Sequence, residues 1–140
     1  MFKIIRHHSV ITCQEAAMHR GIKLKQELKT LVVCASLYFI AVHLRGCDRL
    51  SGRQVKKLLK IKDIRFVSNE QLTSYGLATG IINPWNTSFC THHLVCERVF
   101  YNRFMATNNS KYTEGVLFNP NILRDLPNVA IGNYSVTNQK

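Results

Sequence analysis

The sequence predicts an α/β fold: a mixed, curved, largely antiparallel sheet flanked by helices. Three observations carry that reading. Helix-start signals stand at four separate places along the chain. Runs rich in β-forming residues fall between them at irregular intervals. The steady βαβ alternation of a doubly wound sheet is missing. With 140 residues, 46% of them hydrophobic, the chain has the length of one domain, 1–140, and enough apolar material for a continuous core.

The elements follow in order. Thr12-Cys13-Gln14-Glu15 is a capping box, in which the Thr hydroxyl and the Glu carboxylate satisfy free backbone N–H groups. Its helix carries Ala16, Ala17 and Met18 and stops at Gly21, a residue free to turn left-handed. Residues 30–34 and 37–44 read as two strands joined by a short polar break. Ser51-Gly52-Arg53-Gln54 opens a second helix with Val55, Leu58 and Leu59 on one face. A short strand at 64–67 precedes a third helix opened by Ser68-Asn69-Glu70-Gln71. Strands are predicted at 93–95, 99–106, 115–118 and 129–131. Pro120 starts a fourth helix at its first turn, reaching Leu126 and ending before Pro127. There is no internal repeat and no low-complexity tract.

No apolar run reaches the ~20 residues of a membrane-spanning helix; the longest, 31–44, is broken by Cys34, Ser36 and His43. The start, Met1-Phe2-Lys3-Ile4-Ile5-Arg6-His7-His8, lacks the apolar stretch and small-residue cleavage site of a signal peptide. A cytosolic location is expected. The five cysteines are odd in number and form no CxxC pair, which predicts reduced, mostly buried thiols rather than a disulfide framework.

Nineteen Lys and Arg against eight Asp and Glu give a net charge of +11. Such an excess favours a polyanionic partner, because each neutralised phosphate releases counterions. Nothing resembles a lipidation signal, so nucleic acid leads over a membrane surface; a charge that only aids solubility is the other reading. Basic residues cluster at Lys23, Lys25 and Lys29, and again at Arg53, Lys56, Lys57, Lys60, Lys62 and Arg65. Positions 53, 56, 57 and 60 share one helical face, which is either an ordinary solvated face or a phosphate-contacting one.

Two segments and one lysine could carry chemistry. In Gly76-Leu77-Ala78-Thr79-Gly80-Ile81-Ile82-Asn83-Pro84-Trp85, glycine lets backbone approach a ligand and proline stiffens the chain. Such a loop is a structural turn, or a cradle aiming N–H groups at a carbonyl. Lys29, at the entry to the first predicted strand, could face solvent, bind phosphate or act as a partly desolvated cation in a cleft. Cys90-Thr91-His92-His93-Leu94-Val95-Cys96 has metal-type residues at close spacing, but strand alternation sends His93 and Cys96 to opposite faces; no metal site is assigned. Gly-x-Ser-x-Gly, Walker A and dinucleotide fingerprints are absent.

At these residues the chain resembles the YbaK/EbsC family, the bacterial prolyl-tRNA synthetase editing-domain superfamily. The likeness is ordered and spans most of the chain. The helix from Thr12 with its Glu-Ala-Ala, the Lys-Thr-Leu-Val at Lys29 to Val32, the helix from Ser51, the loop with Gly80 and Pro84 at the ends of a GxxxP motif, and the tail from Thr107 to Leu126 all take part. The commoner family loop reads Gly-Gly-x-Ser-Pro-x-Gly, so Trp85 and the lost glycines make this loop divergent, as does Asn108-Asn109-Ser110-Lys111 in place of an Asn-x-Gly-Asp turn.

The resemblance implies a barrel-like sheet and hydrolysis of the ester between a noncognate amino acid and tRNA, with no metal or organic cofactor. It implies that Lys29 is the important charged residue and that Gly80, Ile81, Ile82, Asn83 and Pro84 shape the amino-acid pocket. Together with the charge it implies tRNA contacts at Lys23, Lys25, Arg53, Lys56, Lys57 and Lys60, and a working partnership with an aminoacyl-tRNA synthetase. Trp85 suggests a tight pocket. The alternative is a non-catalytic RNA-binding module on the same fold; a pocket filled by Trp85 would favour it, and an open pocket beside Lys29 would favour catalysis.

Overall fold

The structure, a computed structural model, describes residues 2–137. Among these residues it places three α-helices and ten strands, in the order β1 (Lys3–Arg6), α1 (Cys13–Arg20), β2 (Leu28–Ala35), β3 (Tyr38–Arg45), β4 (Asp48–Leu50), α2 (Gly52–Leu59), β5 (Arg65–Phe66), α3 (Asn69–Ser74), β6 (His92–Cys96), β7 (Met105–Lys111), β8 (Glu114–Phe118), β9 (Val129–Gly132) and β10 (Ser135–Thr137). Five strands form the main sheet, β5-β2-β3-β6-β9; β1-β8-β7 and β10-β4 form two smaller ones. Pairing is mixed: β3–β6 and β6–β9 are parallel, the rest antiparallel. The sheets curve around the core without closing into a barrel.

Local chemistry sets the helices. Both halves of the capping box at Thr12 and Glu15 are made, and Gly21 ends α1 at φ 70. Ser51 caps α2 through the Gln54 N–H, and Ser68 with Gln71 closes a second capping box on α3. β2 and β3 form a hairpin from Leu28↔Arg45 to Ala35↔Tyr38, with Ser36 left-handed at φ 54 in its two-residue turn.

Both faces of this hairpin are buried. Val33, Ile40, Val42 and Leu44 join Val55, Leu94, Met105, Phe118 and Leu123 in the larger core cluster. The alternate residues Val32, Cys34 and Ala41 pack with Val67, Leu72, Leu77, Ile82 and Cys90 in the other. This is why 30–34 reads as a nearly continuous apolar run rather than an alternating one.

Several expectations are corrected. The predicted strand 99–106 is instead a 3-10 turn over Glu97–Tyr101, with β7 starting at Met105. Asn102 breaks the run: its side chain donates to the Lys25 carbonyl at 2.9 Å, a tertiary tie that overrides the β preference of the aromatics. β7 then runs on through the polar Asn108-Asn109-Ser110, with a bulge between Asn108 and Lys111. The helix expected from Pro120 does form and ends before Pro127, with 3-10 geometry over Pro120–Asp125. On α2 only Val55 is buried, and Leu58 is exposed. β1, β4 and β10 are three or four residues long, too short for a period-2 pattern to register. All five cysteines are free, four of them buried.

Gly115 tests how closely β8 packs on α1. A Cβ there would overlap the Arg20 side chain, which is itself buried and fixed by Glu27 and His7. Gly115→Ala is expected to cost about 1–3 kcal/mol, the usual range for overpacking, seen as a lower urea midpoint with an unchanged m-value.

Candidate active site

The site grows from an asymmetry in β2. On one side β2 pairs with β3 along its length. On the other it meets partners only near its ends. Val33 and Cys34 pair with β5, and the Val67 N–H donates to the Val32 carbonyl at 3.2 Å. At the start, Glu27 bridges Ala106, and Thr107 Oγ1 donates to the Leu28 carbonyl at 3.0 Å. Between these ties lies a cavity of about 340 Å³. Its walls are the open edge of β2, the segment from Val10 into α1, Leu72 of α3, Thr79, Gly80 and Ile82 of the glycine loop, and Asn108 of β7.

Lys29 lines this cavity and is half-buried. Its ammonium donates to the backbone carbonyl of Asp48, and the Asp48 carboxylate is held by Arg45 at 2.8 and 3.1 Å. An ammonium has three donors, so this bond positions Lys29 without exhausting it.

A polar wall stands beside it. Arg20 and Glu27 form a buried ion pair, with side chains 2% and 3% exposed, and Arg20 Nε donates to His7 Nε2 at 3.1 Å. Burial pushes the Glu27 carboxyl up to about 8 against the pull of Arg20. Burial, then the Glu27 charge, pushes the neighbouring Cys13 thiol up to about 11. Cys13 therefore stays a thiol and is a poor nucleophile.

Behind Thr30 runs a buried chain of polar groups. Thr30 Oγ1 lies 2.8 Å from His43 Nδ1, and His43 Nε2 lies 3.0 Å from His93 Nδ1, with the two rings stacked. Burial, then His93, pushes His43 down to about 3; burial, then His92, lowers His93 as well. Both imidazoles are thus neutral near pH 7, each with one donor and one acceptor nitrogen.

The glycine loop is braced from within. Asn83 Oδ1 accepts the Trp85 and Asn86 N–H groups at 2.8 and 2.9 Å, and Asn86 Oδ1 accepts the Asn83 N–H at 2.8 Å. Asn83 Nδ2 reaches Asn108 and Ser110, while Asn108 Nδ2 donates to the Ile82 carbonyl at 2.8 Å. Gly80, at φ 92, packs where a Cβ would press on the Tyr112 ring and the Ile11 carbonyl.

Of the residues that the sequence points to, Lys29, Gly80 and Ile82 meet in the cavity, whereas Ile81, Asn83 and Pro84 are not among its lining residues. Trp85 packs outward, edge-on to Phe2 and Phe118, so it does not narrow the pocket. Lys23, Lys25, Arg53, Lys57 and Lys60 are exposed and Lys56 is half-buried; none of the six lines the cavity. In the 90–96 segment, His93 is bonded to His43 and His92 to Thr91. Among the described residues no three His, Cys, Asp or Glu side chains gather as a metal site. Arg20 and Glu27 carry no local signature that would have marked them, and Thr30 and Asn108 stand out only as members of the Lys-Thr-Leu-Val and Asn-Asn-Ser-Lys stretches.

The model of the aminoacyl-tRNA editing domain matches residues 7–126. The chain belongs to that family. The fold agrees. The hypothetical protein APE2540 superposes with a TM-score of 0.87 at 19% identity, over 97% of this chain and 92% of its own. A proposed trans-editing enzyme for prolyl tRNA synthetase gives a TM-score of 0.83 at 18% identity, over 96% and 87%. At this distance both bear on the editing-domain fold alone. The family match covers β2, the cavity and the glycine loop together. Among the described residues no helix is long and apolar enough to cross a membrane.

The buried histidines of this editing domain give a pH dependence. The unfolded chain takes a proton at His43 below about pH 6.5, and the folded chain refuses it until about pH 3. The contribution of His43 to stability is therefore whole above pH 6.5 and is lost as pH drops toward 3, by up to about 1.4 kcal/mol per pH unit. Raised Glu27 acts in the opposite sense, favouring the fold as pH falls, so the readout is a comparison: in urea unfolding between neutral and mildly acid pH, the wild type should lose more stability than His43→Asn. A variant slope equal to that of the wild type would remove His43 as its source.

Proposed function

We propose that this protein is a trans-editing aminoacyl-tRNA deacylase, a single editing domain over residues 1–140 that hydrolyses the ester of a mischarged tRNA. The observation that carries the reading is the open cavity lined by Lys29, Gly80 and Ile82, in a chain of the editing family. Trp85 lies outside it, and this favours catalysis over a module that only binds RNA.

In this reading water attacks the ester carbonyl, the carbonyl–ribose oxygen bond breaks, and free amino acid and uncharged tRNA leave. No side chain among the lining residues is placed as an activated nucleophile. Cys13 is held as a thiol by burial, no histidine lines the cavity, and Arg20 holds one oxygen of Glu27, the one lining carboxylate. A hydroxyl of the tRNA therefore assists the water. Lys29 steadies the negative charge of the phosphate or terminal ribose region. Gly80 and Ile82 bound the amino-acid pocket, with Ile81, Asn83 and Pro84 holding their backbone in place. Lys23, Lys25, Arg53, Lys56, Lys57 and Lys60 draw the tRNA in by charge. The reading needs no metal or organic cofactor. It places the protein in the cytoplasm, working beside an aminoacyl-tRNA synthetase.

A panel of mischarged tRNAs tests this. At least one should be deacylated, and Lys29→Ala should cut that turnover by about 10²–10³, the typical cost of removing an electrostatic donor. Failure to deacylate any member at high enzyme concentration would overturn the enzymatic reading. Ile82→Ala should admit a larger aminoacyl group, by about 10- to 200-fold in relative kcat/KM, with tRNA affinity nearly unchanged. An unchanged amino-acid preference would place the pocket elsewhere.

A further inference from the structure

In an antiparallel strand the N–H and C=O of one residue point to one neighbour, and those of the next residue point to the other. Two observed bonds fix this alternation in β2. The Val32 carbonyl accepts from Val67 and the Leu28 carbonyl accepts from Thr107, both on the side away from β3. Thr30 lies midway between them, so its N–H and C=O face the same way, into the cavity that Thr30 lines. The strand pairings of β2 give neither group a strand partner on that side, and Thr30 is only 5% exposed. An unsatisfied buried polar group costs about 1–3 kcal/mol, and most such backbone groups in folded proteins are paired.

The gap is one residue wide, bounded by Leu28 and Val32. What completes it is what a strand residue would present: a nitrogen donor and a carbonyl acceptor joined through a single carbon. Resting on the deacylase reading above, we infer that the aminoacyl group of the substrate fills this gap as a missing strand residue paired with Thr30. Its ammonium donates to the Thr30 carbonyl, and its ester carbonyl accepts from the Thr30 N–H. The carbonyl so held is the one that water attacks, so the Thr30 N–H faces the oxygen on which negative charge develops. The site thereby selects esters of α-amino acids with a free amine. The amino-acid side chain is left to the Ile82 wall. The bond from the Thr30 hydroxyl to His43 turns the side chain away and pins this stretch of strand.

The test is amide NMR of the isotope-labelled protein, titrated with non-hydrolysable amide analogues of alanyl- and cysteinyl-adenosine and with their desamino counterparts. The Thr30 amide should shift and gain protection from hydrogen exchange. The Lys29 and Leu31 amides, already bonded to β3, should stay in place. The desamino analogues should bind at least about tenfold more weakly, the loss of one charged hydrogen bond. An unmoved Thr30 amide at saturation, equal binding of the desamino compounds, or no binding of either pair overturns the inference. The mischarged-tRNA panel separates the two claims. Turnover with an unmoved Thr30 amide removes the pairing alone, and a Thr30 response without any turnover removes the deacylase reading alone. Thr30→Pro adds a second arm, because it deletes an N–H that the β2–β3 ladder does not use. Compared with Thr30→Val, which also lacks the hydroxyl, it should lower kcat by about 10²–10³; equal rates in the two variants count against the pairing.

Discussion

Strand β2 is paired with β3 along its length on one side and tied only near its ends on the other. The alternation of an antiparallel ladder does the rest. Every second residue commits its backbone to β3, and the others must find partners outward. Leu28 and Val32 find them; Thr30, between them, opens onto a cavity. A strand buried on both faces cannot slip register without turning its whole apolar set over. The position of this gap is therefore as fixed as the core itself.

The gap stays open because its borders are held from a distance by polar groups rather than by apolar packing alone. Asn83 and Asn108 lock the glycine loop to β7 through each other's side chains. Arg20 and Glu27 pin α1 against the start of β2. A buried ion pair is weak evidence for net stability, yet breaking one by removing a single partner typically costs about 3–5 kcal/mol. These contacts serve geometry more than stability: they set walls at a fixed spacing around an unpaired backbone. Neutral histidines behind Thr30 extend the same logic, since a hydrogen-bonded but uncharged network can be buried without a counter-ion.

What the sequence made legible was whatever is decided within a few residues. The capping boxes at Thr12 and Ser68 name their helices because donor and acceptor stand three positions apart. The β2–β3 hairpin declares itself through two adjoining runs of β-formers. Lys29 and the Gly80 loop became candidates through their place in an ordered family pattern, and the structure does bring Lys29, Gly80 and Ile82 to one cavity. The rest depends on distant partners. The run after Val99 fails as a strand because Asn102 binds Lys25, 77 positions away. Thr30 looks like any β-branched strand residue, and nothing local says that its outward neighbour is missing. That absence is created by β5 and β7, which reach β2 at either end and leave the middle. Asn108 reads as part of a polar turn until Asn83 is seen beside it.

In the deacylase reading, attraction and selection fall to different parts of the molecule. The six surface Lys and Arg assigned to tRNA stand apart from the cavity lining, and charge of this kind acts on any phosphate backbone without regard to what the tRNA carries. The cavity wall holds few charged side chains: Arg20 and Glu27 are bound to each other and buried, and Lys29 is the other cation among the lining residues. Discrimination among aminoacyl groups must then come from shape at Ile82 and from backbone geometry. Shape alone separates neighbours differing by a methylene by only about 1–3 kcal/mol. Backbone geometry is stricter, because a wrong donor or acceptor leaves a buried group unpaired. A strand edge supplies that second kind of selectivity from main-chain atoms, which side-chain substitution does not remove, and this leaves the divergent loop free to vary in the residues that set size.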